Sequence, residues 1–446
     1  MSFADFISQH ENDDPVRLLL SRDKYPDIDI DLAVTTLEVR RKLKTKVPEW
    51  YAVPSMIYPS RLSGEQCSSS ETARYKALLT LGLRSEGVPP ETASASLRPL
   101  PQPRPGSAGP SLLSCRGWPE VSGGTPSLLK IADLTGGMGV DTWAFAQVAG
   151  EVLYNEMDEA LAKAAELNFR ELGVGNVRFR NCRVEPGRVE EVLDGFEPDV
   201  IFLDPARRAE DGRKVFLIEE CQPDVLGLLP ELFAASRYVL LKLSPMADIT
   251  MACKRLGEHV REVHVVAAGG ECKELLFLLD RERTEAHSIV VVEGGHVMEI
   301  PDLVGDDGLA MRFGIPKEGD VLFEPGKALA KAGAFNLPCT RYGLMKLGHH
   351  THLYVGESIP KELRPFGKVF WILEVLPLSN RSLKEAGKRW PQAEVTARNV
   401  SVSSDVLRKK LGCISGGDVH LFGVRVDAAS DAGNYLIVTR KRYGTD

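Results

Sequence analysis

From about Pro126 the chain alternates short apolar strands with helices, and this alternation restricts its fold more than any other feature. "SLLKIAD", "EVLYNE" and "NVRFRN" read as strands, separated by helices in "VDTWAFAQVA" and "DEALAKAAELNFRELG". "DVIFLDP" and "YVLLKLSP" are continuous apolar runs, the pattern of strands buried on both faces, with helical material predicted from Lys214 to Ser236 between them. Strands and helices at this spacing predict a parallel sheet covered on both faces. In "VREVHVVAAGGECKELLFLLDR" two strands meet at a Gly-Gly step, so the sheet is expected to close with an antiparallel hairpin.

Residues 1–84 are expected to be mostly helical, on the aliphatic spacing of "DIDIDLAVTTLEVRRKLKTKVPEW". In "SGEQCSSSETARYKALLTLGL" the serines and an acid predict a helix starting at about Ser69 or Ser70, and Glu65 and Gln66 are candidates for a lid over the cleft. Residues 85–125, rich in Pro, Ser and Gly without an apolar period, read as a linker or insertion. After about Arg283 short strands and helices mix, as in one or two small α+β domains. The chain shows no internal repeat.

No apolar run approaches the ~18 residues of a membrane span, so no membrane partner is expected. The acidic N-terminus lacks the features of a signal peptide, and the eight cysteines are scattered singly. Reduced thiols, a cytoplasmic location and no metal are the corresponding expectations, with His349, His350 and His352 read as a polar loop. Charge is uneven along the chain. Residues 327–446 hold 19 Lys and Arg against 10 Asp and Glu, while the remainder holds 36 against 52. Such asymmetry fits a nucleic-acid-facing module on an acidic body, or else a solvated basic face.

The stretch "IADLTGGMGVD" carries the chemistry. Asp133 ends an apolar strand, and Gly136, Gly137 and Gly139 let the backbone turn tightly and bring a ligand close to the main chain. Glu156 ends the next strand 23 residues later, a distance suited to a carboxylate accepting from ribose hydroxyls. Asp141 stands at the helix start, where it would repel a pyrophosphate but tolerate a ligand bearing an ammonium and a sulfonium.

These residues resemble those of class I S-adenosylmethionine-dependent methyltransferases, in particular a bacterial group with a C-terminal THUMP-like domain. The likeness rests on "EQCSSSETARYKA", "DLTGGMGVD", "DVIFLDPARR", "KLSPMADI", "ECKELLF", "FEPGKALAKAGAF" and "THLYV". It implies a Rossmann-like α/β sheet with an antiparallel last strand over 126–283, a ferredoxin-like segment at 286–324 and a THUMP-like domain at 366–446. Asp133, Gly136, Gly137 and Gly139 would then line the methionine end of S-adenosylmethionine, with Thr135 and Asp141 in the same cofactor set. Glu156 would hold the ribose, and Asn181 or Cys182 would flank the adenine.

The reaction centre is expected at Asp204, Pro205, Ala206 and Arg207, with Lys242 beside it. Asp204 and a backbone carbonyl of Pro205 or Ala206 supply acceptors that can orient an amino nitrogen. A lysine closing an apolar strand is costly unless paired, with Asp204 or substrate as its partner. The Asp-Pro-Ala-Arg order lacks the aromatic that commonly follows in amino-directed nucleic-acid enzymes, and Arg207 or Arg208 can stack or clamp a phosphate in its place. Methylation of a base nitrogen in structured tRNA or rRNA is the leading expectation. A protein or small-molecule substrate, or an RNA-binding protein with a retained pocket, are the alternatives, and the oligomeric state stays open.

Overall fold

The computed structural model describes residues 1–83, 129–207, 217–283, 285–301, 312–428 and 431–441, so the stretch 85–125 lies outside the described residues. Two compact units form: Met1–His264 with Lys273–His287, and Val265–Cys272 with Ser288–Asp446. No helix among the described residues is long and apolar enough to cross a membrane.

The first unit begins with six helices: α1 (Phe3–Gln9), α2 (Pro15–Leu20), α3 (Ile30–Lys46), α4 (Pro48–Tyr51), α5 (Arg61–Gln66) and α6 (Ser70–Gly82). Local chemistry sets their starts. Asp14 and Asp29 cap α2 and α3, and Ser69 forms a reciprocal capping box with Thr72 that starts α6 at Ser70. Trp50 ties this region to the helices over the sheet, meeting Trp143 and Phe169 edge-on with ring centroids 6.3 and 6.5 Å away. Asn168 adds two 2.8 Å hydrogen bonds to the backbone of Ile57.

The strands that follow are β1 (Lys130–Asp133), β2 (Glu151–Asn155), β3 (Val177–Arg180), β4 (Val200–Leu203), β5 (Tyr238–Leu243), β6 (Val260–Ala268) and β7 (Glu271–Asp280), with Val265–Cys272 of the last two counted in the second unit. A two-residue ladder of Ala206–Arg207 with Cys221–Gln222 stands outside that numbering. Across the sheet the order is 6-7-5-4-1-2-3. β1 to β5 run parallel, and β7 pairs with β5 antiparallel, with Lys242 opposite Leu276. The hairpin turns at Gly269 and Gly270, both left-handed (φ 60° and 80°), as the Gly-Gly step predicts. The strand order reverses between β1 and β4, which opens a crevice at the carboxyl edge.

The covering helices are α7 (Val140–Ala146), α8 (Glu159–Glu171), α9 (Val189–Leu193), α10 (Val225–Ala235) and α11 (Ile249–Leu256). Of the helical material expected from Lys214, residues 214–216 lie outside the described residues, Ile218–Glu220 forms a 3-10 turn, and the α-helix follows at Val225. Cys221–Gln222 is extended, Pro223 lacks the N–H a helix needs, and Asp224 caps α10 by accepting from the Gly227 amide.

In the second unit β8 (Ser288–Glu293) and β9 (His296–Pro301) form a hairpin. A seven-stranded sheet follows, made of β10 (Val321–Pro325), β11 (Met345–Lys346), β12 (Tyr354–Gly356), β13 (Gly367–Pro377), β14 (Glu394–Arg398), β15 (Val419–Val426) and β16 (Gly433–Lys441), in the order 11-12-10-13-16-15-14. Its helices are α12 (Lys327–Lys331), α13 (Leu337–Thr340), α14 (Asn380–Arg389) and α15 (Ser404–Leu411). Leu383, Ala386, Leu407 and Leu411 pack on Val395, Leu421 and Val438. A second core gathers Leu322, Leu353, Phe370, Phe422 and Ile437. Because β10 pairs with β13, strands from both sides of position 366 share one sheet.

Candidate active site

At the carboxyl edge of β1, β2 and β4 the backbone closes around a cavity of about 260 Å³. Thr135, Gly136, Gly137, Gly139, Asp141, Glu156, Cys182, Asp204 and Ala206 line it. Two glycines are obligatory here. A Cβ on Gly136 would lie 2.1 Å from the Tyr154 ring, and Gly139, at φ 92°, would drive one to 2.7 Å from Phe169.

Asp133 sits beneath the loop rather than in the cavity wall. Its carboxyl oxygens bond the Thr135 amide at 3.1 Å and Thr142 Oγ1 at 2.6 Å. Complete burial, against the pull of those bonds, pushes its pKa up to about 8, so the group carries its proton at neutral pH. Its part in the geometry is to hold the turn. Thr135 Oγ1 then accepts from the Asp204 amide at 2.6 Å, which ties the loop after β1 to the end of β4.

Glu156 folds back on the backbone, accepting from Gly137 N and Asp158 N, both at 2.8 Å. Asn181 does not line the cavity; its amide donates to the Glu156 carbonyl at 2.6 Å, while neighbouring Cys182 does face the space. Buried Asn155 braces the floor, donating to the carbonyls of Leu134 (3.1 Å) and Cys182 (3.0 Å) and accepting from the Cys182 amide.

Lys242 donates to Asp204 Oδ2. Burial acts to lower its pKa, but Asp204, Asp141 and Glu274 outweigh that and hold it charged, above the ordinary lysine range. Among the described residues Asp204 Oδ1 has no hydrogen-bond partner, which leaves one anionic oxygen for substrate. Pro205 is buried behind the wall while Ala206 is exposed to the cavity. The backbone of Arg207 pairs with Cys221, and Arg208 lies outside the described residues.

The N-terminal helices complete the cavity. Ser63, Gln66, Cys67 and Ser68 line it, whereas Glu65 turns away to pair with Lys42, so Gln66 faces the cleft and Glu65 does not. Ser68 Oγ donates to Asp141 Oδ2 at 2.8 Å. Lys76, with no exposed surface, lies 3.1 Å from Asp141 Oδ1 and 2.8 Å from each carboxylate oxygen of Glu274, and donates to Ser68 at 3.0 Å. Sequence reasoning missed Lys76 and Glu274 as site residues. The signal was present: Lys76 falls between Ala73, Ala77 and Thr80 on the buried face of α6, and Glu274 immediately precedes the apolar run "LLFLL". A charge at a position the period assigns to the interior needs a partner.

Comparisons with known proteins agree with this fold. Over 284 residues the chain is 25% identical to proteins from two strains of Mycobacterium tuberculosis described as uncharacterized S-adenosylmethionine-dependent methyltransferases, spanning 63% of this chain and 73% of theirs. A crystal structure of a putative methyltransferase from Porphyromonas gingivalis W83 superposes with a TM-score of 0.76 at 28% identity, covering 99% of this chain and 98% of that one. The chain is an S-adenosylmethionine-dependent methyltransferase. In this methyltransferase a family model for a ferredoxin-like domain matches residues 322–363, and one for a THUMP-like domain matches 367–441. The ferredoxin-like match shares only residues 322–324 with the 286–324 stretch expected for it.

The cavity's features fit the cofactor. Gly136 and Gly139 keep clear a cradle that side chains would fill. Asp141 lines the space while only 8% exposed, its Oδ1 buried 3.1 Å from the Lys76 ammonium and its Oδ2 accepting from Ser68, and a carboxylate in that wall suits a cationic ligand.

Proposed function

We propose that the methyltransferase modifies a base nitrogen in structured RNA, tRNA or rRNA. The observation that carries this reading is Asp204: a carboxylate at a strand end, paired with Lys242, lining the cavity beside the exposed Ala206. When bound, S-adenosylmethionine supplies an electrophilic methyl group. Asp141 and the loop Thr135–Gly139 would hold its methionine end, Glu156 its ribose, and Cys182 its adenine.

Asp204 Oδ1 accepts an N–H of the substrate amine, and a backbone carbonyl of Pro205 or Ala206 accepts the second. That arrangement points the nitrogen lone pair away from both acceptors, and catalysis is chiefly positioning. Lys242 holds Asp204 in place through Oδ2, which leaves Oδ1 to accept. The proton displaced from nitrogen leaves to Asp204 or to water.

The basic THUMP-like part supports an RNA substrate. Arg381, Lys384, Lys388 and Arg389 on α14 and Lys409 and Lys410 on α15 are exposed. Their apolar sides face the sheet, which leaves the cations outward. THUMP domains are RNA-binding modules, and phosphate contacts by such cations weaken with salt. The test is to incubate the protein with methyl-labelled S-adenosylmethionine and extract from a strain lacking its gene, then treat halves with RNase or protease. Label lost only to RNase supports the reading. Label lost only to protease overturns it and recasts the basic face as a protein-docking surface.

A further inference from the structure

Five charged groups form one connected set at the cavity: the ammonium groups of Lys76 and Lys242 and the carboxylates of Asp141, Asp204 and Glu274. Glu274 reaches this edge because β7 runs antiparallel, which puts its N-terminal end beside the carboxyl ends of β4 and β5. Lys76 arrives from α6, outside the sheet altogether. Neither lines the cavity, and Lys76 spends its donors on Ser68 and Glu274 while facing Asp141. Asp133, neutral through burial, adds no charge. Two cations against three anions leave the set one charge negative.

S-adenosylmethionine carries a sulfonium, an ammonium and a carboxylate, a net single positive charge. S-adenosylhomocysteine, left when the methyl group departs, has a neutral thioether and no net charge. We propose that the Lys76–Glu274 pair sets the charge of this site so that the cationic methyl donor completes it and the neutral product does not. The pair acts through Asp141 as positioning residues, and it makes donor and product distinguishable where the two molecules otherwise share nearly every contact. The inference rests on the cavity being the cofactor site. It also explains why helices outside the sheet belong to the site, since α6 delivers the lysine that allows Glu274 to be buried as an anion.

The experiment is calorimetric titration of the full-length protein with each ligand. Wild type is expected to bind S-adenosylmethionine more tightly than S-adenosylhomocysteine. Glu274→Gln, which keeps the side chain's shape and brings the set to neutrality, is expected to lower that preference by on the order of tenfold, the effect of one unit charge at protein-interior separations. Lys76→Met combined with Glu274→Gln restores a single negative charge and is expected to recover the preference. Equal weakening of both ligands by Glu274→Gln, or a double variant that tracks the single one, would overturn the proposal in favour of a structural role. On wild type alone, sinefungin, whose amino group replaces the sulfonium, is expected to share the donor's advantage. Binding like the product overturns the proposal even where a variant fails to fold. A wild-type protein that binds none of the three refutes the cofactor reading itself, and the proposal with it.

Discussion

Replacing Lys76 by methionine should be the most damaging single change in the first unit. The side chain has no exposed surface, and its ammonium is held by Glu274 Oε1 and Oε2 (2.8 Å each), Ser68 Oγ (3.0 Å) and Asp141 Oδ1 (3.1 Å). Methionine fills nearly the same volume, so the loss is electrostatic. Two carboxylates whose side chains are 3% and 10% exposed are left facing each other without a cation between them. Removing one partner of a buried pair costs about 3–5 kcal/mol, mostly the penalty on the charge left behind. For a unit of this size that amounts to a fall of roughly 10 °C in the melting temperature. The assay is thermal unfolding across about pH 5 to 8, beside Lys76→Met/Glu274→Gln. Glu274 is already pushed up by burial against the pull of Lys76, and without that lysine its pKa rises further. A carboxyl raised on folding contributes stability at low pH that is lost as pH rises, so the deficit of the single variant should widen toward pH 8. The double variant should recover at least half of it. A shift under about 2 °C, or one that does not change with pH, would rule out this electrostatic role for Lys76.

Other outcomes follow from the same structure. Gly136→Ala puts a methyl group into the Tyr154 ring and should cost about 1–3 kcal/mol in stability while weakening S-adenosylmethionine binding, read by melting and titration. Asp133→Asn should abolish a pH dependence: wild-type stability from this group is present below the unfolded carboxyl range and lost as pH rises through about 8, whereas the variant should show no such decline in chemical denaturation. Reversing Lys384, Lys388, Lys409 and Lys410 to Glu should weaken RNA binding and flatten its salt dependence, measured by filter binding from about 50 to 200 mM salt, while leaving cofactor affinity unchanged.

The sheet was legible because its signals are local. Continuous apolar runs at Val200–Leu203 and at 238–241, and glycines at 269 and 270, each specify a strand or a turn without reference to distant residues. The cofactor loop was legible for the same reason, since Asp133 to Asp141 is one uninterrupted segment. What stayed hidden depends on contacts far apart in the chain. Lys76 and Glu274 are 198 residues apart, and nothing in either neighbourhood names the other. The expected roles of Asp133 and Asn181 as cavity-lining groups missed a distinction only packing makes, for both are spent on the backbone of the loops that do line it. The expected break at 366 comes from the family resemblance, but β10 and β13 pair across it, so removing 366–446 would strip a sheet rather than a separate module. Surface variants are the sounder test of that region.

The proposed function turns on methyl transfer to a nitrogen positioned by Asp204, and mass spectrometry of nucleosides tests that step without intermediaries. RNA from a strain lacking the gene would be incubated with deuteromethyl S-adenosylmethionine and either wild type or Asp204→Asn, then digested. Label is expected on an exocyclic base nitrogen, reduced about 10²–10⁴-fold by Asp204→Asn at saturating cofactor. Label on a carbon or a ribose, or undiminished transfer by Asp204→Asn, would show that Asp204 does not orient an amine for methylation.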